Sequence, residues 1–369
     1  MDPAEKQRIF WHLALTRAPH IGAVTAKTLL ERFGDAKSVF RQDRASLGQF
    51  IPPSAVNGIL AYEPEKDEFI QNEIDLIERE NVTIVTPLDK EYPKLLRSIF
   101  DPPTVLYVKG KLQPLDDVAV GIVGTRRATR YGIDQARRFA KYLVEQNITV
   151  VSGMAMGIDA EAQEAAVKAG GRTIAVLGCG VDVVYPMMHT KLYESIIETG
   201  AVISELPMGT QPIGHNFPRR NRIISGISLG VLVIEGGKSS GALITAEFAA
   251  NQGREVFALP GPVDRPTSDG TNMLIQQGAI PVTEPSQIIQ SLGVPELAKE
   301  ARRKALDIAK GLDGVLKVLF EALDYEPKHI DVIARETNMD TQHVMSTLTE
   351  LEMRDLIKRL PGMFYARNV

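Results

Sequence analysis

Residues 118–126 are Val118-Ala119-Val120-Gly121-Ile122-Val123-Gly124-Thr125-Arg126. The first six are apolar, mostly β-branched and do not alternate with polar residues, which is typical of a strand buried on both faces of a parallel sheet. A glycine-led turn follows, and residues 131–146 then form an amphipathic segment long enough for a crossover helix. The stretch therefore predicts the first strand–turn–helix unit of a doubly wound α/β domain.

The same alternation recurs along the chain. Further short apolar runs lie at residues 148–151, 173–177, 201–203, 231–234 and 256–259. Amphipathic segments separate several of these runs, for example at 158–169. The sequence predicts a doubly wound, mostly parallel sheet of about six strands.

Composition and periodicity divide the chain into four predicted segments. Apolar residues at helical spacing predict a small N-terminal helical domain, and a charged, Ala-rich stretch predicts a linker. Three helical segments and a hairpin around Pro361 and Gly362 are typical of a winged helix. The predicted segments are 1–82 (helical), 83–292 (α/β), 293–311 (linker) and 312–369 (winged helix). Within the first, residues 21–30 are similar to a helix-hairpin-helix turn, although a simple turn between packed helices is an alternative.

Charge and cysteine content limit the class of protein. The chain has 369 residues, and 42 Lys and Arg against 46 Asp and Glu give a net charge of -4. Any nucleic-acid binding must therefore come from a local basic patch, since the whole surface is not basic. Cys179 is the single cysteine, and no apolar run approaches the ~20 residues of a membrane span. We expect a cytoplasmic protein.

Glycine- and serine-rich turns follow three of the predicted strands, where an open α/β sheet binds its ligands. The first turn combines backbone N–H groups, a hydroxyl and a guanidinium, all of which suit phosphate oxygens. The other two turns offer further backbone donors. The residues predicted to bind phosphate are Gly124, Thr125, Arg126, Ser152, Gly153, Ser240, Gly241 and Thr245.

Residues 216–226 carry the strongest signal for a nucleic acid. Three arginines within four positions stand beside an aromatic ring, a combination used to bind phosphates and stacked bases of single strands. The residues predicted to contact the strand are Phe217, Arg219, Arg220, Asn221 and Arg222. The alternative is that Arg220 and Arg222 pair with internal carboxylates such as Glu205 or Glu235.

Signals for catalysis are weak. The first turn lacks a full G-x-G-x-x-G, and no acidic residue follows the second strand to hold a ribose, which disfavours a nicotinamide or flavin site. His189 and His215 are isolated, and Cys179 is expected to be a buried, inert thiol. We expect no catalytic residue, no cofactor and no metal ion.

Seven motifs, collinear over about 90–285, together resemble the DNA processing protein A family (DprA, also called Smf). They are Gly121–Arg126, Val151–Asp159, Val176–Asp182 with Tyr185-Pro186, Ile203–Glu205, Phe217–Arg222, Ser240–Ala246 and Pro260-Gly261. The resemblance implies an extended Rossmann-like domain, an N-terminal module similar to a sterile alpha motif or helix-hairpin-helix, and a C-terminal winged helix.

The resemblance also implies a function. Members are bacterial, non-enzymatic proteins that bind single-stranded DNA and load the recombinase RecA onto it during natural transformation, and they form homodimers through the Rossmann domain. By motif position, Gly124, Thr125 and Arg126 would hold phosphate with Ser152 and Gly153 beside them, and 217–222 would hold the strand. Residues 211–215 contain no lysine to complete the patch.

Two alternatives stay open. The loop 235–247 also resembles that of nucleotide phosphoribohydrolases of the lysine-decarboxylase-like group, with Glu247 as the carboxylate to test. The second alternative is an adaptor that binds RecA and does not bind DNA directly.

The predicted winged helix has an acidic third helix, with Asp340, Glu350 and Glu352. We therefore expect it to make mostly protein contacts, with weak DNA binding through Lys358, Arg359 and Arg367 on the wing.

Overall fold

A sheet of nine strands forms the centre of the chain in a computed structural model. The structure describes residues 1–294, 312, 314–323, 327–354 and 356–367. They divide into two compact units, Met1–Ile288 and Ile289–Val369. Most of the predicted linker, residues 295–311, lies outside the described residues.

The helices and strands of the first unit follow the predicted alternation from residue 119 onward. The helices are α1 Pro3–Arg17, α2 Ala23–Phe33, α3 Ala36–Val39, α4 Arg44–Gly48, α5 Pro53–Ala61, α6 Glu68–Arg79, α7 Lys94–Arg97, α8 Arg130–Glu145, α9 Ile158–Lys168, α10 Thr190–Thr199, α11 Asn216–Ile227, α12 Gly241–Asn251 and α13 Asp269–Gln276, with α14 Ser286–Ser291 crossing its end. The strands are β1 Thr83–Val85, β2 Leu106–Gly110, β3 Ala119–Val123, β4 Thr149–Ser152, β5 Thr173–Val176, β6 Ala201–Ser204, β7 Gly230–Val233, β8 Glu255–Ala258 and β9 Ile280–Pro281.

The strand order confirms the predicted doubly wound, mostly parallel sheet. It is β1-β2-β6-β5-β4-β3-β7-β8-β9, and the six predicted apolar runs are β3 to β8. All pairings from β6 through to β9 are parallel, whereas β1 and β2 extend the β6 edge in antiparallel register. The chain places β4, β5 and β6 on one side of β3 and then β7, β8 and β9 on the other side. The connections that follow β3 and β7 therefore run in opposite directions along the sheet. A crevice that can take a ligand opens at such a reversal of strand order.

Helices cover both faces of the sheet. Residues of α11 and α12, such as Ile223 and Ala246, share one core with Val123. On the other face, Ala160 of α9 shares a core with Ala175 and with side chains of α1, α6 and α10. Every residue of β3 to β7 is buried. Burial on two faces explains why these strands are continuously apolar.

The N-terminal helices are fixed to the sheet by charged side chains. Nη1 of Arg8 in α1 lies 2.8 Å from Oδ2 of Asp89, just beyond β1. Glu73 of α6 is buried, and Oε1 accepts a hydrogen bond from the backbone N–H of Met208 at 2.7 Å. Residues on both sides of position 82 belong to one compact unit. The predicted domain boundary at residue 82 stays a prediction.

The turn between α1 and α2 packs closely on α5. A Cβ on Gly58 of α5 would collide with the carbonyl group of Pro19, so glycine is required for this approach. The turn is thus a packed connection, and Gly22 caps α2 without a side-chain hydrogen bond.

The second unit has the predicted winged-helix architecture. Its elements are α15 Gly314–Ala322, β10 Lys328–His329, α16 Ile330–Thr337, α17 Thr341–Met353, β11 Ile357–Leu360 and β12 Phe364–Arg367. The strands are ordered β10-β12-β11, with a hairpin joining the last two. Buried side chains from α15, α16 and α17 pack together, among them Leu319, Ile333 and Leu348.

The three basic side chains of the wing differ in their surroundings. Arg367 donates to the carbonyl oxygens of Phe320 and Glu321, and its guanidinium lies 4.7 Å from the Phe320 ring centroid. These contacts orient Arg367 toward α15, and its predicted part in weak DNA binding stays a prediction. Lys358 is half-buried, which lowers the pKa of its amine, and Arg359 is exposed. Among the described residues, no helix is both long enough and apolar enough to cross a membrane.

Candidate nucleic-acid interface

A cavity of about 440 Å³ lies at the carboxyl ends of the strands, where the strand order reverses between β3 and β7. Three segments far apart in sequence line most of it: 123–127 after β3, 214–224 at α11, and 240–245 at the start of α12. The predicted site residues in its lining are Gly124, Thr125, Arg126, Phe217, Arg220, Asn221, Ser240, Gly241 and Thr245. Four others are not in the lining: Ser152, Gly153, Arg219 and Arg222.

The turn after β3 is held tightly against the loop after β7. The backbone N–H of Thr125 donates to the carbonyl oxygen of Glu235 at 2.8 Å, so this amide is not available to phosphate. A Cβ on Gly124 would lie 2.5 Å from Cγ1 of Ile158, which explains the glycine. Arg126 is exposed, and it forms no ion pair with any residue in the described parts of the chain. Its guanidinium is therefore free to bind an anion.

Glu235 fixes this turn by binding Thr129 rather than an arginine. Its carboxylate accepts from the backbone N–H of Thr129 at 2.9 Å and from the hydroxyl of Thr129 at 2.6 Å. This contact corrects the alternative in which Glu235 pairs with Arg220 or Arg222. Since the carboxylate is held by Thr129, it does not compete for Arg126.

Arg220 is a buried cation in the wall of the cavity. Its side chain donates to the carbonyl oxygens of Gly153, at 2.9 Å, and Val176, and to Oδ1 of Asn221 at 3.1 Å. Burial lowers the pKa of Arg220 to about 10, so the side chain stays charged at neutral pH. It therefore contributes positive charge to the cavity while also bracing its wall.

Asp159, at the start of α9, is the acidic residue of the cavity. Burial raises the pKa of its carboxyl, and Arg220 opposes that rise. Oδ2 accepts from the backbone N–H of Gly153 at 3.2 Å. A lone aspartate near a helix start has the pattern of a cap or a loop brace, and the hydrogen bond to the Gly153 backbone is such a brace.

Ser152 and Gly153 support the cavity and do not offer donors to a ligand. The Ser152 hydroxyl donates to the carbonyl oxygen of Ile122 at 2.6 Å. The N–H of Gly153 binds Asp159, its carbonyl binds Arg220, and a Cβ would collide with the Arg220 guanidinium. Their predicted role as phosphate donors is corrected accordingly, because their polar groups are already used within the protein.

Arg222 points away from the cavity into an internal ion-pair network. Its Nη2 lies 2.6 Å from Oε2 of Glu205 and its Nε 2.9 Å from Oδ2 of Asp101, and its side chain is 3% exposed. The prediction that Arg222 contacts the strand is corrected, and the ion-pair alternative with Glu205 describes this residue. Arg219 is exposed on the same helix, with Nε 3.6 Å from Oε1 of Glu205.

Aromatic rings form the outer rim of the cavity. The ring of Phe217 lies 5.5 Å from that of Tyr185 and 5.5 Å from Cζ of Arg126. A Cβ on Gly178 would lie 2.8 Å from Cδ1 of Phe217, so the glycine leaves room for the ring. Tyr185 was not predicted as a site residue, and the aromatic-proline pair at 185–186 was its one sequence signal.

The third lining segment is the N-terminus of α12. Ser240 caps the helix by accepting from the N–H of Ala242 at 3.3 Å, and Nδ2 of Asn221 donates to the carbonyl oxygen of Gly241 at 3.2 Å. Asn221 thereby ties α11 to α12. The positive end of the helix dipole faces the same cavity as Arg126 and Arg220.

These features suit a phosphodiester strand. Three arginines in the lining, Arg126, Arg127 and Arg220, and a helix N-terminus provide positive charge, and the Phe217 and Tyr185 rings provide a surface for bases. In the parts of the chain that the structure describes, no three His, Cys, Asp or Glu side chains are grouped as metal ligands would be. Glu247, on which the hydrolase alternative rests, is exposed and is not in the cavity lining.

Cys179 should react slowly with thiol reagents in the folded protein. It is buried, Sγ lies 3.2 Å from the carbonyl oxygen of Val183, and burial raises the pKa of its thiol to about 11. The thiolate is the reactive form of a cysteine. At pH 8, Cys179 of the folded protein should therefore react with a chromogenic disulfide reagent at least about 100-fold more slowly than Cys179 of the protein unfolded in denaturant. Equal rates with and without denaturant would contradict this placement.

Comparison with known proteins identifies relatives along the whole chain. A family model described as DNA recombination-mediator protein A matches residues 83–293, and one described as the DprA winged helix domain matches residues 304–363. Protein Smf of Synechocystis sp. is 34% identical, covering 99% of this chain and 100% of its own length. These matches confirm the resemblance found in the sequence.

Solved structures agree. The X-ray structure of DNA processing protein A from Streptococcus pneumoniae has a TM-score of 0.65 and 32% identity, covering 76% of this chain and 97% of that one. DNA processing protein A from Helicobacter pylori, studied for its single-stranded DNA binding mode, has a TM-score of 0.51 and 31% identity, covering 57% of this chain and 95% of that one.

Proposed function

The chain belongs to the DNA recombination-mediator protein A family, and we propose that it binds single-stranded DNA in the cavity between β3 and β7. The observation that carries the proposal is the convergence of Arg126, Arg220 and the α12 N-terminus beside the Phe217 ring. Guanidinium groups pair with phosphate oxygens, and an adjacent aromatic ring stacks on an unpaired base. A duplex offers no unstacked base to that ring, so single strands are the favoured ligand.

The bound strand would be the DNA onto which RecA assembles. The protein would hold incoming single strands and load RecA onto them during DNA uptake, by binding alone and without catalysis. Family membership supports this role. We also propose, on the same support, that the protein acts in the cytoplasm as a homodimer joined through its Rossmann-like domain.

Replacing Arg126 with alanine should weaken single-strand binding about tenfold and lower the salt dependence. The exposed guanidinium makes no ion pair in the described residues, so its loss removes a phosphate contact without disturbing the fold. On single strands, one lost contact reduces the slope of log K against log salt by roughly 0.7. Fluorescence anisotropy of labelled single- and double-stranded oligonucleotides across a salt series measures both quantities.

Arg130→Ala is the matched control, since it removes the same charge from α8, where Arg130 pairs with Asp134 outside the cavity lining. Equal affinity and equal slope for the two variants would contradict the proposed site. A wild-type protein that binds RecA but no single strand would instead favour the adaptor alternative.

A further inference from the structure

Three apolar side chains stand exposed in the segment that follows β5. Tyr185 is 38% exposed, Met187 83% and Met188 74%. We call Tyr185, Met187 and Met188 the shelf. Side chains of this size and polarity are normally buried, and a cluster of them at a surface marks a contact site.

The shelf is continuous with the cavity. The Tyr185 ring lies 5.5 Å from Phe217, which lines the cavity and carries the Arg126 guanidinium on its ring. Directly after the two methionines, Nδ1 of His189 lies 2.9 Å from the carbonyl oxygen of Met154. Ala155, which follows Met154 in the chain, lines the cavity. The segment is thus held at the cavity rim at both of its ends.

We propose that the shelf is a base-binding subsite that continues the strand beyond Phe217. This inference rests on the proposed function and adds a second part to it: phosphates lie in the cavity, and the following bases lie on the shelf. An aromatic ring stacks on any base, and a thioether makes favourable contacts with an aromatic edge. Neither contact reads a sequence, so the subsite takes single strands of any composition.

The surrounding charge favours a nucleic-acid occupant over a protein one. The shelf adjoins a cavity lined by the exposed cations Arg126 and Arg127, and Lys191 is exposed just beyond the shelf. A strand that leaves the cavity past Phe217 would next meet Tyr185, whose ring contacts the Phe217 ring. The methionines are flexible and unbranched, so they can adapt to bases of different size.

The test compares two oligonucleotides of equal length and charge, one with bases throughout and one abasic outside the segment held by the cavity. Tyr185→Ala should weaken binding to the normal strand at least about fivefold. The double variant Met187→Ala, Met188→Ala should weaken it about two- to tenfold. Binding to the abasic strand should match that of wild type within about twofold, and the salt slope should not change because no phosphate contact is lost.

Two further variants complete the comparison. Tyr185→Phe keeps the ring, so it should lose less binding to the normal strand than Tyr185→Ala does. Met353→Ala removes a methionine that is 80% exposed in the second unit and should have no effect. Thermal unfolding of each variant verifies the fold.

The outcomes separate the two proposals. No single-strand binding by wild type would overturn the proposed function itself. Strong wild-type binding with shelf variants that bind the normal strand equally well would overturn only the subsite. An equal loss on normal and abasic strands would also overturn it, since the shelf would not then act through bases. Loss of RecA binding with unchanged DNA binding would assign the shelf to a protein partner and overturn it likewise.

Discussion

Arg222→Ala should lower the free energy of unfolding by about 3–5 kcal/mol, the usual cost of removing one partner of a buried ion pair. Arg222 is 3% exposed and lies between Glu205, 11% exposed, and Asp101. Without the guanidinium, the Glu205 carboxylate keeps only the longer contact with Arg219 at 3.6 Å. Asp101 would also lose its anchor, and with it the segment that leads into β2. Urea denaturation followed by circular dichroism measures the change.

Arg219→Ala is the matched control for this result. Arg219 belongs to the same helix and approaches the same glutamate, but its side chain is 63% exposed and the nearest distance is 3.6 Å. An exposed pair of this kind contributes at most about 1 kcal/mol. Adding Glu205→Gln to Arg222→Ala should recover part of the loss, because the uncompensated charge is then gone. A loss below 1 kcal/mol in Arg222→Ala would contradict the ion-pair network.

Arg220→Ala should reduce both stability and DNA binding. Its guanidinium hydrogen-bonds two buried carbonyl groups and opposes the charge of Asp159. Removing it leaves these acceptors unpaired and the carboxyl uncompensated, at a cost of about 3–5 kcal/mol. Binding should fall more than about tenfold, since a charged hydrogen-bonding group contributes roughly 1.5–3 kcal/mol. Denaturation and anisotropy on one preparation give both values.

Comparison with Arg126→Ala separates the two effects. Arg126 is exposed, so its loss should weaken binding and leave the unfolding free energy within about 0.5 kcal/mol of wild type. The variant Arg220→Ala with Asp159→Asn should regain stability without regaining binding, because the missing cation is not replaced. Wild-type stability in Arg220→Ala would show that this guanidinium does not brace the wall.

The sheet could be predicted from the sequence because burial on two faces leaves a direct trace. Runs such as Val231 to Ile234 have to be apolar throughout, and their order along the chain limits the topology. Strands β1, β2 and β9 were not identified as strands of this sheet. β1 and β9 are the edge strands and have only three and two residues, so their pattern is weak. β2 pairs antiparallel with β6 and precedes the strand–helix alternation that begins at β3.

The cavity could be predicted only in part, because residue type does not show which way a charged side chain points. Arg219, Arg220 and Arg222 look alike in sequence, yet one is exposed, one is in the cavity wall and one is in an ion pair. The difference comes from helical geometry, since neighbouring positions on α11 face different surroundings. Ser152 and Gly153 were mistaken for ligand donors for a related reason: their partners, Ile122, Asp159 and Arg220, come from other parts of the chain.

The strand order of the sheet also bears on how the protein is synthesised. The cavity lining begins at residue 123 and is finished only at residue 245, in α12. At common translation speeds, roughly ten seconds pass on the ribosome between these two points. A nascent chain that already displays Arg126 therefore lacks the opposite wall, and the proposed DNA site would be complete only late in its own translation.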